Sequence, residues 1–325
     1  MMILSDLKYI LLIGLCALMA CESAVEQTVY LAHTLPISHP VHQGIEVFAD
    51  EVDRLSAGEM SIKIFPDAQL GSEREVLELL QIGSISMTKV SAATMSNFAP
   101  EYKVLGIPYL FRDKEHFFNV LEGPVGQELL DKGQDYLLKG MAFYDAGSRS
   151  FYTKERPINT PADLDGLKIR VMNDQMSVDM VNTLGGSATP MSYGELYTAL
   201  QQGVVDGAEN NPPSFVTSRH YEVCKYYSLD EHSSLPDVLV ISTKYWNTLN
   251  PQQKEWMTEA AANSVVAQKK FWKDNVAECM EILKDANVEI IRPDKSTFAN
   301  KVNPILTEFI NQPGMKSLIE NIQNQ

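Results

Sequence analysis

In the run Gly166-Leu167-Lys168-Ile169-Arg170-Val171, Leu167, Ile169 and Val171 share one face of a strand while Lys168 and Arg170 point the other way. An arginine on an arbitrary strand is an exposed basic edge. Here Asp174 follows at the start of a helical pattern containing Met176, Val178 and Met180, which carries Arg170 to the carboxyl end of a sheet strand. Ligands of open α/β sheets gather at such ends. A guanidinium donates two parallel hydrogen bonds from a planar fork and stays charged at any relevant pH, so this residue in this place points to capture of a carboxylate. Arg149 follows the Met141 to Ala146 strand and the bend at Gly147, another connection between elements where a cleft can form. Two arginines together cover a carboxylate and a neighbouring hydroxyl. Asn210, directly after Glu209, brings a donor and an acceptor, which suits a hydroxy acid.

The signatures of catalysis are missing. The chain has no Gly-x-Ser-x-Gly elbow, no Gly-x-x-x-x-Gly-Lys phosphate loop, no His-Glu-x-x-His and no Cys-x-x-Cys. Binding without turnover, cofactor or metal is the expectation. The competing class is an enzyme acting on a carboxylated substrate, which needs a general base near Arg170, and Glu209 is the nominee. His33, His39 and His42 lie close in sequence, but a zinc cluster would need carboxylates on a folded-back loop, and Pro40 disturbs the register of the last two. His33, at the end of the first strand, reads either as a polar group facing a cleft or as a satisfied structural histidine.

The elements that position these residues alternate strand and helix. Val29, Leu31 and His33 alternate with Tyr30 and Ala32 as a strand; Pro40 opens a helix with Val41, Ile45, Phe48, Val52 and Leu55 at helical spacing, closed by Gly58; Met60 to Phe65 is the next strand. This pattern argues for α/β sheets flanked by helices. Ser72 and Glu75 form a capping box ahead of Leu80, Gln81 and Gly83, and a strand runs from Ser84 to Lys89. The series recurs 120 residues later as Ser192, Glu195, Leu200, Gln201 and Gly203, with a strand from Val204 to Glu209. Either helix–Gly–strand units coincide here, or two related lobes face each other across a cleft with Lys89 and Glu209 at equivalent strand ends. From Asn250 and Pro251 a helix extends to about Asp285, with Trp256, Ala260, Ala267, Phe271 and Met280 among its apolar positions. At ~1.5 Å per residue it is ~50 Å long, enough to touch both lobes.

The chain has 325 residues, 45% of them hydrophobic, so two cores are expected in place of one. A net charge of −15 with no Lys/Arg run argues against nucleic acid as a partner. Any anion bound needs a local cationic pocket. Lys8, the apolar stretch Tyr9 to Met19 and the small residues after it read as an export signal over residues 1–20, too short to span a membrane as a mature helix. Leu18-Met19-Ala20-Cys21 resembles a lipobox, so either Cys21 becomes a lipidated N-terminus or the signal is simply cleaved and the protein released. Beyond this leader, no run approaches 18 apolar residues, and a lipid tether is the expected limit of membrane contact. Cys224 and Cys279 remain, as a disulfide or as buried free thiols.

These segments resemble the solute-binding subunits of tripartite ATP-independent periplasmic (TRAP) transporters, from the first strand to about Asn287. The specific part is Pro161-Ala162-Asp163-Leu164-Asp165-Gly166-Leu167-Lys168-Ile169-Arg170-Val171, then Pro190-Met191-Ser192 and Gly203-Val204-Val205-Asp206-Gly207-Ala208-Glu209-Asn210. Asn211 stands where many relatives have proline. The resemblance implies a two-lobed periplasmic binding protein fold of type II-like α/β architecture, with a long C-terminal helix spanning both lobes. The lobes are expected at 21–146 plus 238–279 and at 147–237 plus 280–325. Arg170 matches the arginine that salt-bridges a ligand carboxylate, Arg149 a second arginine of the site and Asn210 a ligand-contacting asparagine. Glu73 and Lys89, with His33 beside them, become selectivity residues of the first lobe. The implied ligand is a small organic acid, a sugar acid such as glucuronate or galacturonate ahead of a C4-dicarboxylate, sialic acid or another hydroxy acid. The implied partners are the small and large membrane permease subunits; a sensory receptor is the other non-enzymatic class.

Overall fold

A computed structural model describes residues 27–325. The leader, its Cys16 and the Cys21 lipidation expectation lie outside the described residues. Among the described residues eleven strands form two sheets. β1 (Gln27–Ala32), β2 (Met60–Phe65), β3 (Met87–Ser91), β4 (Leu138–Tyr144) and β10 (Asp237–Ser242) make the first, in the order β2-β1-β3-β10-β4. β5 (Ser148–Thr153), β6 (Lys168–Val171), β7 (Ser187–Pro190), β8 (Gly207–Asn210), β9 (Tyr226–Ser234) and β11 (Glu289–Ile291) make the second, in the order β11-β9-β5-β8-β6-β7.

The two orders are the same motif used twice. β2-β1-β3 and β7-β6-β8 are parallel, and each is followed by an antiparallel strand that arrives from the other sheet, β10 beside β3 and β5 beside β8. The internal repeat runs through this symmetry. Both capping boxes are formed, at Ser72 with Glu75 and at Ser192 with Glu195, and both helices end on a left-handed glycine, Gly83 and Gly203. Gly83 precedes Met87 of β3 by the same interval as Gly203 precedes Gly207 of β8. The strands start a few residues later than the apolar runs suggest, because Ser84 and Val204 still bond back to Leu79 and Ala199 of the preceding helices.

Among the described residues four chain segments pass between the lobes: Asp145–Gly147 between β4 and β5, Leu235–Pro236 between β9 and β10, the 35-residue helix Pro251–Asp285, and the link 311–314 ahead of the final helix. That helix starts at the Asn250 cap, as the sequence suggests, and packs along helix Pro40–Leu55 of the first sheet and against helix Pro212–Thr217 of the second. Its buried seam is Met257, Ala260, Ala261, Ser264, Gln268, Trp272, Cys279 and Leu283, so of the apolar positions expected only Ala260 is fully enclosed. Ser264 and Gln268 sit in this seam because both are used: Ser264 Oγ meets Tyr144 Oη at 2.7 Å, and the Gln268 amide accepts from Asp145 N at 2.9 Å and donates to Asp145 O at 2.7 Å. A Cβ on Gly44 would lie 2.6 Å from Gln268 Cγ, so the glycine admits the clamp. The final helix, Met315–Gln323, returns to the first sheet's helices, where His116 Nε2 donates to Ile322 O at 2.7 Å and Arg112 donates to Gln323 O at 2.8 Å.

Gly147 takes φ +60° at the first crossing, with Trp272 Cζ2 3.0 Å from where a Cβ would be. Gly147→Ala combines left-handed strain with that contact and is expected to cost ~1–3 kcal/mol. Scanning calorimetry should show a lowered Tm; an unchanged Tm would mean that the crossing tolerates a side chain.

Cys224 and Cys279 are buried free thiols. Burial pushes both up to about 12, so they are packing residues and not reactive groups. Among the described residues no helix is long and apolar enough to cross a membrane.

Candidate functional site

A cavity of about 590 Å³ opens between the sheets, within the range of roughly 300–1,000 Å³ typical of small-molecule sites. Its walls are built by the two copies of the repeat. Ser72, Glu73, Arg74 and Glu75 begin one capped helix, Ser192, Tyr193, Gly194 and Glu195 begin its counterpart, and both helix starts line the cavity. Glu73 and Tyr193 therefore occupy equivalent places on opposite sides.

Arg170 is on β6 with the direction its alternation requires, away from buried Ile169 and Val171, and Asp174 caps the following helix by accepting from Ser177 N at 2.9 Å. The guanidinium is 2% exposed. Its Nε and Nη2 both donate to the Met191 carbonyl, at 3.0 and 2.7 Å, and its Cζ lies 5.8 Å from the Tyr193 ring centroid. Nη1 is buried and has no hydrogen-bond partner among the described residues. No carboxylate pairs with Arg170 among them either. Burial consequently lowers its pKa, with the Glu209 charge opposing that shift from a distance. A buried cation without a counter-ion is costly, and here the orphan donor belongs to a residue lining the cavity.

Arg149 is placed differently. Nε and Nη2 engage both oxygens of the Glu209 carboxylate, Nη2 also reaches Glu209 O at 2.8 Å, and Nη1 donates to Asn210 Oδ1 at 2.8 Å. Four of its five N–H groups are thereby used. Burial opposes the Arg149 charge, but Glu209 outweighs it and the pKa moves up. Glu209 in turn sits 3.3 Å from His232 Nε2, whose Nδ1 is 2.8 Å from Asp230. Burial alone would raise the Glu209 acid, yet Arg149 and His232 hold it at about 2; burial also disfavours the His232 cation, yet Asp230 and Glu209 lift it to about 9. Asn210 Oδ1 accepts from both Arg149 and Asn211 N, so the acceptor anticipated for a ligand is occupied and Nδ2 is what Asn210 offers the cavity.

On the first sheet, Lys89 is 2% exposed and bridges Glu73 Oε1 and Asp237 Oδ2, each at 3.3 Å. Glu73 is fixed further by Ser91 N at 3.2 Å and Thr94 Oγ1 at 2.6 Å. Burial disfavours the Lys89 charge, and the two carboxylates more than restore it.

Arg170, Arg149, Asn210, Glu73 and Lys89 thus come together around one cavity. His33 does not join them. It is buried beneath the wall, accepting from Leu35 N at 3.2 Å through Nδ1 and meeting His42 Nδ1 at 2.9 Å through Nε2. Burial first, then Lys89, hold it neutral at about 2. Both ring nitrogens are engaged inside its own lobe, which leaves none for a cleft. His39 lines the cavity instead, capping helix Pro40–Leu55 through Nδ1 and meeting Ser214 Oγ of the other lobe at 3.2 Å. Tyr193 and Asp237 are further lining residues that the sequence reading passed over, although the repeat itself pairs Tyr193 with Glu73.

The model of the family described as bacterial extracellular solute-binding protein, family 7, matches residues 31–312. A solute-binding protein of Chromohalobacter salexigens is 35% identical over 291 residues, covering 89% of this chain and 87% of that protein. Among solved structures, a TRAP periplasmic solute-binding protein of Xanthobacter autotrophicus with bound β-D-galacturonate is 38% identical, with a TM-score of 0.89 over 91% of this chain and 99% of that one. A TRAP periplasmic solute-binding protein of Anaerococcus prevotii with bound D-glucuronate is 34% identical, with a TM-score of 0.90 over 92% of this chain and 97% of that one. The repeated two-lobe topology, the arginine-lined cavity and these likenesses agree: this chain belongs to family 7 of the bacterial extracellular solute-binding proteins, the receptors of TRAP transporters.

Proposed function

We propose that the protein captures a sugar acid, a hexuronate such as galacturonate or glucuronate foremost, in the periplasm and delivers it to the membrane permease subunits of a TRAP transporter. The observation that carries this reading is the buried Arg170 guanidinium, which belongs to a residue lining a cavity between two lobes and whose Nη1 has no partner among the described residues. A carboxylate there gains a charge-assisted pair in a site from which closure removes water. The remaining polar groups suit hydroxyls: Asn210 Nδ2, the third N–H of Lys89 and the Glu73 and Asp237 carboxylates. The bound uronates of the two relatives support the same class. In this reading the two sheets are the cores of the moving lobes, and the segments that connect them are where they hinge.

The enzymatic alternative loses its base. Glu209 is held at about 2 and spent on Arg149 and His232, whereas a general base works best with a pKa near the working pH.

A thermal-shift and calorimetric series with D-galacturonate, D-glucuronate, D-galactonate, succinate and N-acetylneuraminate tests the proposal. A ligand at about 100 times its Kd adds ~2.7 kcal/mol to stability. A sugar acid should raise Tm most; if no sugar acid shifts it, the reading fails.

Closure also leaves a rim contact to check. Asn97 Nδ2, on the β3 side, donates to Asn173 O, on the β6 side, at 2.8 Å, and both residues line the cavity mouth. A net hydrogen bond is worth about 0.5–1.5 kcal/mol, so Asn97→Ala should speed ligand release ~2- to 10-fold. Stopped-flow displacement would read this rate; release at the parental rate would remove Asn97 from the latch.

A further inference from the structure

We infer that the cavity selects by charge, accepting sugar acids that carry one carboxylate and rejecting aldaric acids that carry two, because the wall supplied by the first sheet bears an excess of negative charge. This rests on the sugar-acid reading above and sharpens it.

On the second sheet, Arg149 is balanced by Glu209, and the His232 cation by Asp230. Arg170 has no paired carboxylate among the described residues, which accommodates one anionic group. On the first sheet, the Lys89 ammonium stands between the Glu73 and Asp237 carboxylates, at 3.3 Å from each. One cation shared by two anions leaves that wall with a net charge of −1. His39 adds nothing to it, since burial, with Lys89 next in weight, holds the ring well below its usual range and neutral.

Carboxylates and one spare ammonium N–H form a surface of acceptors with a single donor, which is complementary to hydroxyls. Asp237 is the more available acceptor. Its one ionic partner is Lys89, whereas Glu73 also serves Ser91 N and Thr94 Oγ1. A second ligand carboxylate placed there would meet like charge in a poorly solvated site, an arrangement that excludes a ligand more strongly than a missing contact does. Lys89 has one spare N–H for such a group, but its charge is already shared between two carboxylates. Arg74 is the other cation at the mouth, but it is 63% exposed and paired with Glu78 at 3.1 Å, so water screens it. Glu75 and Glu195, also at the mouth, are bound to Ser72 and Ser192 in their capping boxes and add further negative charge. The polarity from Arg170 to Asp237 thus fixes which end of the ligand enters which lobe.

The experiment is calorimetry at pH 7 with D-galacturonate, D-galactonate and galactarate, which differ at the chain ends while keeping the same run of hydroxyls. Galactarate should bind at least 100-fold more weakly than the better of the two monoacids. Asp237→Asn should narrow the gap at least 10-fold by tightening galactarate. Glu73→Gln, which leaves the Lys89–Asp237 pair in place, gives a second reading should the first variant not fold. Galactarate within 10-fold of the better monoacid, or a gap that neither variant narrows, overturns the inference while leaving sugar-acid binding intact. Failure of all three acids to bind overturns the sugar-acid reading itself.

Discussion

Arg170→Ala is expected to weaken binding of the cognate sugar acid by about 30- to 4,000-fold, the equivalent of ~2–5 kcal/mol. The size follows from what would be left behind. The ligand carboxylate would enter the same closed cavity and find no counter-charge, since Arg149 is neutralised by Glu209 and Lys89 is shared between Glu73 and Asp237. Much of the loss is thus the cost of an unpaired buried anion and not only of a missing contact. Calorimetry on the purified variant reads it directly, and binding within threefold of the parent would falsify the assignment of Arg170.

The same substitution makes a second, opposite expectation for the unliganded protein. Arg170 is buried, its pKa is lowered by that burial, and Nη1 has no partner among the described residues. Its removal relieves the cost of an uncompensated cation while giving up two bonds to Met191 O. The ligand-free Tm should therefore stay level or rise, as it does when a site stores unfavourable charge for use in binding. A large drop in the ligand-free Tm would mean that the guanidinium is structural.

How far the sequence revealed this site depends on which interactions are local. Arg170 was legible because alternation along β6 sets its direction and the Asp174 cap sets its height on the sheet, both within a few residues. The repeat was legible because capping boxes and left-handed glycines are local signals too. Asp237 was not, since its role comes from β10 crossing back to pair with β3, which places it beside Lys89 through a long-range register. His33 shows the converse. Its position at a strand end was correct, but whether the ring faces cleft or core depends on His42 one helix away. On the long helix, apolar periodicity located the element and its ends, yet misjudged the buried seam, because Ser264 and Gln268 are buried through hydrogen bonds that hydropathy does not register. The place of Arg149 at the cavity was legible, while its compensation by Glu209 required strands β5, β8 and β9 to be set side by side.

That compensation supports the remaining large prediction. Glu209→Gln should cost about 3–5 kcal/mol of stability, because it leaves Arg149 and the His232 cation in a buried site with Asp230 beside the histidine and Asp174 acting on Arg149 without a salt bridge. The parent should show the network in its pH dependence. His232 is raised from 6.5 to about 9, so its contribution is complete below pH 6.5 and is lost as pH rises through 9. Glu209 is lowered from 4.5 to about 2, so its contribution is complete above pH 4.5 and is lost as pH falls through 2. The acid side is shared with His33 and His220, which burial keeps neutral at about 2 and 3 and which therefore also favour unfolding as pH drops below 6.5. Between pH 6.5 and 9 the buried cysteines do not compete, because they begin to matter only above the ordinary thiol value of 9. A declining Tm across that interval in the parent, flattened in His232→Gln, is the expected result by circular dichroism. Equal slopes in the two proteins would show that His232 is neutral in the folded state, and the buried charge network would then reduce to the Arg149–Glu209 pair.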